Sequence, residues 1–228
     1  MKLRIAGGKA EIQRYGRVKD KREFRGLLGL ASWLVVFLCA ALLLVASFYA
    51  DAAVQAWMTR QQFPALRNFM NAVSRCGDWP QHVLLGLALL GIAYWRGSKR
   101  WRRIFAAMIL ACALAGIAAR VVKISTGRAR PHVQTEAGWN GPRLSPRYNA
   151  FPSGHTAAST AFFATLAFAS WRIGAPLLIV PLLIAFSRMY VAAHYLSDVV
   201  AAALIGCVAA YVVVNWKPLR IQNPKSKN

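Results

Sequence analysis

From Gly26 to Ala50 the chain runs for 25 residues without a charged side chain, rich in Leu, Val and Ala. A helix rising about 1.5 Å per residue needs about 20 apolar residues to cross the hydrocarbon core of a bilayer, so this block is long enough to span one. Five more apolar blocks follow, at Trp79 to Trp95, Ile104 to Ala119, Thr156 to Trp171, Ile173 to about Tyr190, and Val199 to Trp216. Only Arg172 and its neighbour Gly174 interrupt the fourth and fifth, which therefore read as a helical hairpin. The expected fold is all-α, a polytopic membrane protein with six transmembrane helices in a bundle. A basic N-terminal segment, residues 1–25, precedes a membrane domain at 26–216, and a tail at 217–228 follows it. Composition agrees: 57% of residues are hydrophobic and 16% charged, with a mean hydropathy of +0.37. An ordinary soluble domain carries about 25% charged residues, and a disordered chain needs low hydrophobicity. The four cysteines (Cys39, Cys76, Cys112, Cys207) have neither metal-ligand nor disulfide-framework spacing.

Basic residues outnumber acidic ones 29 to 7, and their distribution gives sidedness. Nine Lys or Arg fall in residues 1–25, and five in residues 96–103. Arg172 marks the fourth connection, and Lys217, Arg220, Lys225 and Lys227 follow the last span. The positive-inside rule then places both termini and the second and fourth connections in the cytoplasm. Scattered over loops in this way, the cations read as topology signals and lipid-headgroup contacts; no nucleic-acid partner is expected. The first block is too long for a signal-peptide core of about 7–15 residues, so a retained anchor is expected, in the cell (inner) membrane. The segment from Arg220 to Asn228 is polar and expected to be disordered.

One outer connection breaks the charge rule. Between Arg120 and His155 lie Arg120, Lys123, Arg128, Arg130, Arg143 and Arg147 against one acid, Glu136. Contact with headgroups explains such a cluster, and so does a bound anion, because guanidinium forks match phosphate oxygens. Three segments favour the anion. Lys123 is followed after six residues by Arg130-Pro131. Pro152-Ser153-Gly154-His155 is a turn opening into a helix, whose first N–H groups suit an anion. Ser187-Arg188 is followed by His194 and then Asp198, four apart on one helix face, where a carboxylate reaches an imidazole. With the orientation above, all three segments reach the outer, periplasmic end of the bundle.

Together and in this order, the three segments resemble the signature of the type-2 phosphatidic acid phosphatase superfamily, which includes bacterial lipid phosphate and lipid pyrophosphate phosphatases. The matching residues run from Lys123 to Asp198, about a third of the chain. The resemblance implies a catalytic set of His194, His155 and Asp198. His194 would attack phosphorus to form a phosphohistidine, Asp198 would hold its imidazole, and His155 would protonate the leaving lipid oxygen and then activate water. Lys123, Arg130 and Arg188, with Ser153 and the Gly154 N–H, would bind the phosphate. No metal and no cofactor is expected, three fixed cations standing where other enzymes use metal ions.

The implied substrate is a lipid phosphate whose tail stays in the bilayer: undecaprenyl pyrophosphate, phosphatidylglycerophosphate, phosphatidic acid or lipid A 1-phosphate. The same motifs would serve a phosphotransferase, and a non-catalytic lipid-binding or transport protein is the reading from another class. Arg120 and Arg128 read as accessory or headgroup-facing, Arg143 and Arg147 as candidates for holding a second phosphate or a sugar headgroup, and His82 and His132 as structural. Leu66, Phe69, Met70 and Val73 recur at helical spacing, predicting a short interfacial helix. It would either border the path of the lipid or cap the bundle. Oligomeric state is not encoded in any of these features.

Overall fold

A computed structural model describes residues 3–133 and 138–216; the expected C-terminal tail at 217–228 and Glu136 lie outside them. The chain divides into two units, Met1–Leu43 and Leu44–Asn228. The first is helical chain belonging to α1 (Leu3–Arg60), with exposed apolar side chains such as Trp33, Val36 and Phe37. The second contains the end of α1, then α2 (Pro64–Cys76), α3 (Trp79–Trp95), α4 (Lys99–Thr126), α5 (Gly154–Ala169), α6 (Trp171–Leu177), α7 (Ile179–Tyr190) and α8 (Leu196–Asn215). Among the described residues there is no strand, only one isolated bridge between Arg128 and Trp139.

Among the described residues, four stretches are long and apolar enough to cross a membrane: Ala31–Arg60, Lys99–Thr126, Trp171–Tyr190 and Leu196–Asn215. The other two expected spans form helices, but α3 and α5 have 17 and 16 residues, about 25 Å each at the usual helical rise. α5 differs from the rest because it is enclosed by protein: every residue from Thr156 to Ala167 is buried. The chain is a multi-pass membrane protein, with apolar side chains such as Leu84, Ile117, Leu182 and Val208 left exposed on its outer helix faces.

Helix boundaries differ from the apolar blocks where nothing breaks the helix. α1 continues ten residues past Ala50 to Arg60, since no Gly or Pro intervenes before Pro64, which holds Phe63 extended. α4 likewise runs through Arg103 and Arg120. It starts at a Ser98 cap and ends at Gly127, whose φ of +57° is left-handed. A Cβ at Gly127 would fall 1.8 Å from the Gly141 carbonyl, so only glycine fits this turn. The hairpin is present: at Gly174 of α6 a Cβ would lie 2.2 Å from the Ala167 nitrogen, so the returning helix presses directly on the α5 backbone.

The core joins α4, α5 and α8 through small residues. Ala107, Ala111, Ala115 and Ala119 line one face of α4 against Ala157 and Ala161 of α5 and Ala202 of α8. Small side chains let helix backbones approach closely, the packing favoured where lipid removes the hydrophobic drive between helices. At Gly206 of α8 an added Cβ would sit 2.8 Å from the Ala157 carbonyl.

Candidate active site

This tight core brings the three motif segments together. Ser153 caps α5, its hydroxyl accepting from Thr156 N–H at 3.5 Å, while its own N–H donates to the Asp198 carbonyl at 3.0 Å. The second motif is thereby tied to the third through the backbone. Lys123 occupies the last turn of α4, and its Nζ lies 3.8 Å from where a Cβ on Gly154 would be. Lys123, Gly154 and His155 all line one cavity of about 700 Å³.

The turn between α7 and α8 sets Arg188 and His194. Ala192 adopts a left-handed conformation at φ 54°; its N–H bonds to the Met189 carbonyl and the Ala193 N–H to the Arg188 carbonyl. That is a Schellman closure, normally built on glycine. The His194 N–H also donates to the Arg188 carbonyl, at 3.2 Å. Asp198 then lies in the first turn of α8, where Oδ2 accepts the Tyr195 N–H at 2.8 Å.

His194 is fully buried, with Nδ1 3.5 Å from Asp198 Oδ2. This is longer than a formed hydrogen bond, and Nδ1 has no other partner in the protein. Catalytic contacts of this kind are often long before substrate arrives. Burial, reinforced by the charges of Lys123, Arg188, Arg130 and His155, holds the imidazole well below its usual range. The His194 imidazole is therefore neutral at neutral pH. Arg130 and Arg188 each keep a buried Nε without a protein hydrogen-bond partner. His155 faces the cavity with Nε2 3.9 Å from Asp78 Oδ1.

Every residue named from the three motifs is thus found at an end of α4, α5, α7 or α8 or in the loops beside them. Three further residues escaped the sequence reading. Arg128, taken there as accessory, is buried and binds Asp198 Oδ1 at 2.6 Å and Asp51 Oδ2 at 2.7 Å. Ser74 of α2 accepts a hydrogen bond from Arg188 Nη1, and Asp78 stands beside His155. Arg143 and Arg147 are exposed and outside the cavity, so the geometry gives no support to a second phosphate there. Arg120 does line it. His82 is structural as expected, wedged edge-on against Phe162 and Phe163, and His132 Nδ1 lies 3.0 Å from the Ala192 carbonyl.

The α2 helix forms as its spacing predicts, but it caps the bundle. Met70 is buried with Met58 and Tyr190, Leu66 packs against them, and no α2 residue lines the cavity. The cavity wall comes from α3, α4 and α5, with Trp79, Cys112, Ala113, Gly116, Ile117 and Ala158 below the polar end at Lys123 and His155. Among the described residues, no three His, Cys, Asp or Glu side chains converge as a metal site.

The profile of the PAP2 superfamily matches residues 104–222, more than half of the chain and all three motif segments. The chain belongs to the PAP2 superfamily. Undecaprenyl-diphosphatase BcrC of Bacillus subtilis (strain 168) is 33% identical over 69 residues, 30% of this chain; the match spans only 36% of that protein's length. Two crystal structures share the fold. Aquifex aeolicus LpxE superposes with a TM-score of 0.58 at 22% identity, over 73% of this chain and 95% of the other. The transmembrane PAP2-type phosphatidylglycerolphosphate phosphatase from Bacillus subtilis gives 0.58 at 20%, over 79% and 92%. The PAP2 match begins at Ile104, so α1, α2 and α3 are outside it.

Proposed function

We propose that this protein is a membrane lipid phosphatase that hydrolyses a phosphomonoester or pyrophosphate bond through a phosphohistidine on His194. The observation that carries this reading is the two-sided environment of His194, with Asp198 at Nδ1 and the cationic side chains of Lys123, Arg130 and Arg188 near the ring. With Nδ1 turned to Asp198, Nε2 is the attacking atom. As the N–P bond forms, the P–O bond to the lipid breaks, and His155 gives its proton to the departing oxygen. His155 then takes a proton from water, the hydroxide attacks phosphorus, and inorganic phosphate leaves with His194 restored. Lys123, Arg130 and Arg188 neutralise the equatorial oxygens, and Ser153 and the Gly154 N–H add hydrogen bonds. In such a transfer, fixed charge and positioning supply most of the acceleration.

The cavity supports a lipid. Its polar end holds the phosphate, and its wall of Cys112, Ala113, Gly116 and Ile117 suits an apolar chain. Undecaprenyl pyrophosphate and phosphatidylglycerophosphate are the first headgroups to try, in view of the names of two relatives. In the proposed arrangement α3 and α5 complete six spans, both termini are cytoplasmic, and the site faces the periplasmic side of the inner membrane. The test is phosphate release by purified protein from a lipid panel, wild type against His194→Ala and His155→Ala. Near-complete loss in both variants is expected. A His194→Ala protein that still turns over would refute the mechanism, and a wild type inactive on every lipid would favour a binding or transport role. Labelled phosphate appearing on an acceptor lipid rather than in water would indicate a phosphotransferase.

A further inference from the structure

Behind His194 lies a second charged layer that the three motifs do not account for. Arg128 places Nη1 2.6 Å from Asp198 Oδ1 and 2.6 Å from Ser197 Oγ, and Nη2 2.7 Å from Asp51 Oδ2. Asp51, on α1, also accepts the Ser197 N–H at 2.8 Å and the Ser197 hydroxyl at 2.5 Å. It therefore satisfies an N–H at the start of α8, the helix that carries Asp198. The guanidinium is enclosed by the rings of Phe48, Trp139 and Tyr195, 5.3, 4.9 and 4.3 Å from its centre. Asp51, Arg128, Ser197 and Asp198 are all buried, and Asp51 lies outside the stretch matched by the family profile.

We propose that Asp51 is a positioning residue for the His194–Asp198 pair, acting through Arg128 and Ser197. A guanidinium bound to Asp198 alone would neutralise it and weaken its hold on the imidazole. With Asp51 sharing the guanidinium, the three charged groups sum to one net negative charge behind His194. That charge opposes the cations facing the ring, which are Lys123 from α4, Arg130 from the loop after it and Arg188 from α7, with His155 from α5 titrating among them; Asp198 from α8 is the one acid against it. Asp78, the remaining acid at this end among the described residues, faces His155. In a buried site charges interact much more strongly than in water, so one unit behind the nucleophile matters. The proposal rests on His194 being the nucleophile and extends that reading to a residue of α1.

Charge arithmetic supplies the test. Asp51→Asn keeps the side-chain shape and an acceptor for the Ser197 N–H, but takes the layer from −1 to 0. Arg128→Gln takes it to −2, and the double variant returns it to −1. Phosphate release from phosphatidic acid in mixed micelles is measured across pH. For Asp51→Asn the expected loss in kcat is about 10–100-fold, the range seen when a group orienting a catalytic ligand is removed. KM should change little, and the acid limb of the profile should move to lower pH, because less negative charge supports the imidazolium. Arg128→Gln should move that limb to higher pH, and the double variant should be more active than Asp51→Asn alone. A merely structural Asp51 would lower activity without moving the limb and would leave the double variant worse than either single one; either outcome overturns the proposal. If Asp51→Asn does not yield folded protein, the limb of Arg128→Gln alone decides. A wild type that releases no phosphate would instead strike at the phosphatase reading itself.

Discussion

Two parts of the membrane domain hold the site by opposite means. Where α4, α5 and α8 meet, alanines and Gly206 bring backbones together, and the reward is a main-chain hydrogen bond between Ser153 and Asp198. Where α2 meets α7, the packing is Met58, Met70 and Tyr190, large buried side chains, with the Tyr190 hydroxyl accepting the Phe63 N–H and donating to the Gln61 carbonyl. Arg188, one of the proposed phosphate ligands, is steered there by a side-chain contact to Ser74. The difference teaches that the proposed nucleophile, its carboxylate and the proposed acid are placed by main-chain hydrogen bonds, whereas the guanidinium of one proposed phosphate ligand is aimed by a side-chain contact.

Overpacking the rigid part should have the largest effect. Gly206→Leu drives a Cβ to 2.8 Å from the Ala157 carbonyl and the Thr160 Cβ, at the upper end of the about 1–3 kcal/mol that overpacking costs. It should lower the melting temperature in detergent and abolish phosphate release together. Met70→Leu, a volume-conserving change on the other side, should cost less than about 1.5 kcal/mol and leave turnover intact. Equal effects from the two substitutions would break the comparison.

Next in size is Ser74→Ala. It frees Arg188 without touching the alanine core, so melting should barely move while kcat/KM falls roughly 10-fold, the scale of a hydrogen bond to a charged group. A collapse in stability instead would mean that α2 is part of the rigid frame.

Much of this organisation was legible in the sequence. Apolar block length gave the helices, Arg172 and Gly174 gave the hairpin, and the spacing of Leu66, Met70 and Val73 gave α2. The three motifs gave the segments that the fold gathers at one end of the bundle, where the phosphate site is proposed. Arg128 was not legible, because its partners are 70 and 77 residues away and a loop arginine carries no local sign of burial. Asp51 was hidden for a related reason. It follows the last apolar residue of a block, where a charge ordinarily marks a span end, but helical propensity carries α1 onward and tertiary packing buries the carboxylate. Ser74 sits on the polar edge of an amphipathic helix, and only the approach of α7 gives it a partner.

Over the usual assay range the pH effect should be smaller. Because His194 is held below the ordinary imidazole value, its neutral form persists as pH falls through about 6.5. The acid limb that it contributes to kcat/KM should therefore lie below that value. The same depression means that its contribution to stability is fully present above the unfolded value and is lost as pH falls toward the folded one. An acid limb above about 7 would contradict the burial argument. The smallest effect is expected from chelation: exhaustive EDTA should leave activity indistinguishable from the untreated enzyme, and loss restored by a divalent metal would overturn the metal-free mechanism.

The central claim is that phosphorus is bonded to His194 during turnover. Rapid quenching with phosphate-labelled lipid, followed by peptide mass spectrometry under alkaline conditions, tests it directly. The account predicts an acid-labile phosphoryl group on the peptide containing His194 in the wild type, and none in His194→Ala. Turnover by wild type with no trapped phosphoryl enzyme at any quench time, or label carried by His155, would contradict it.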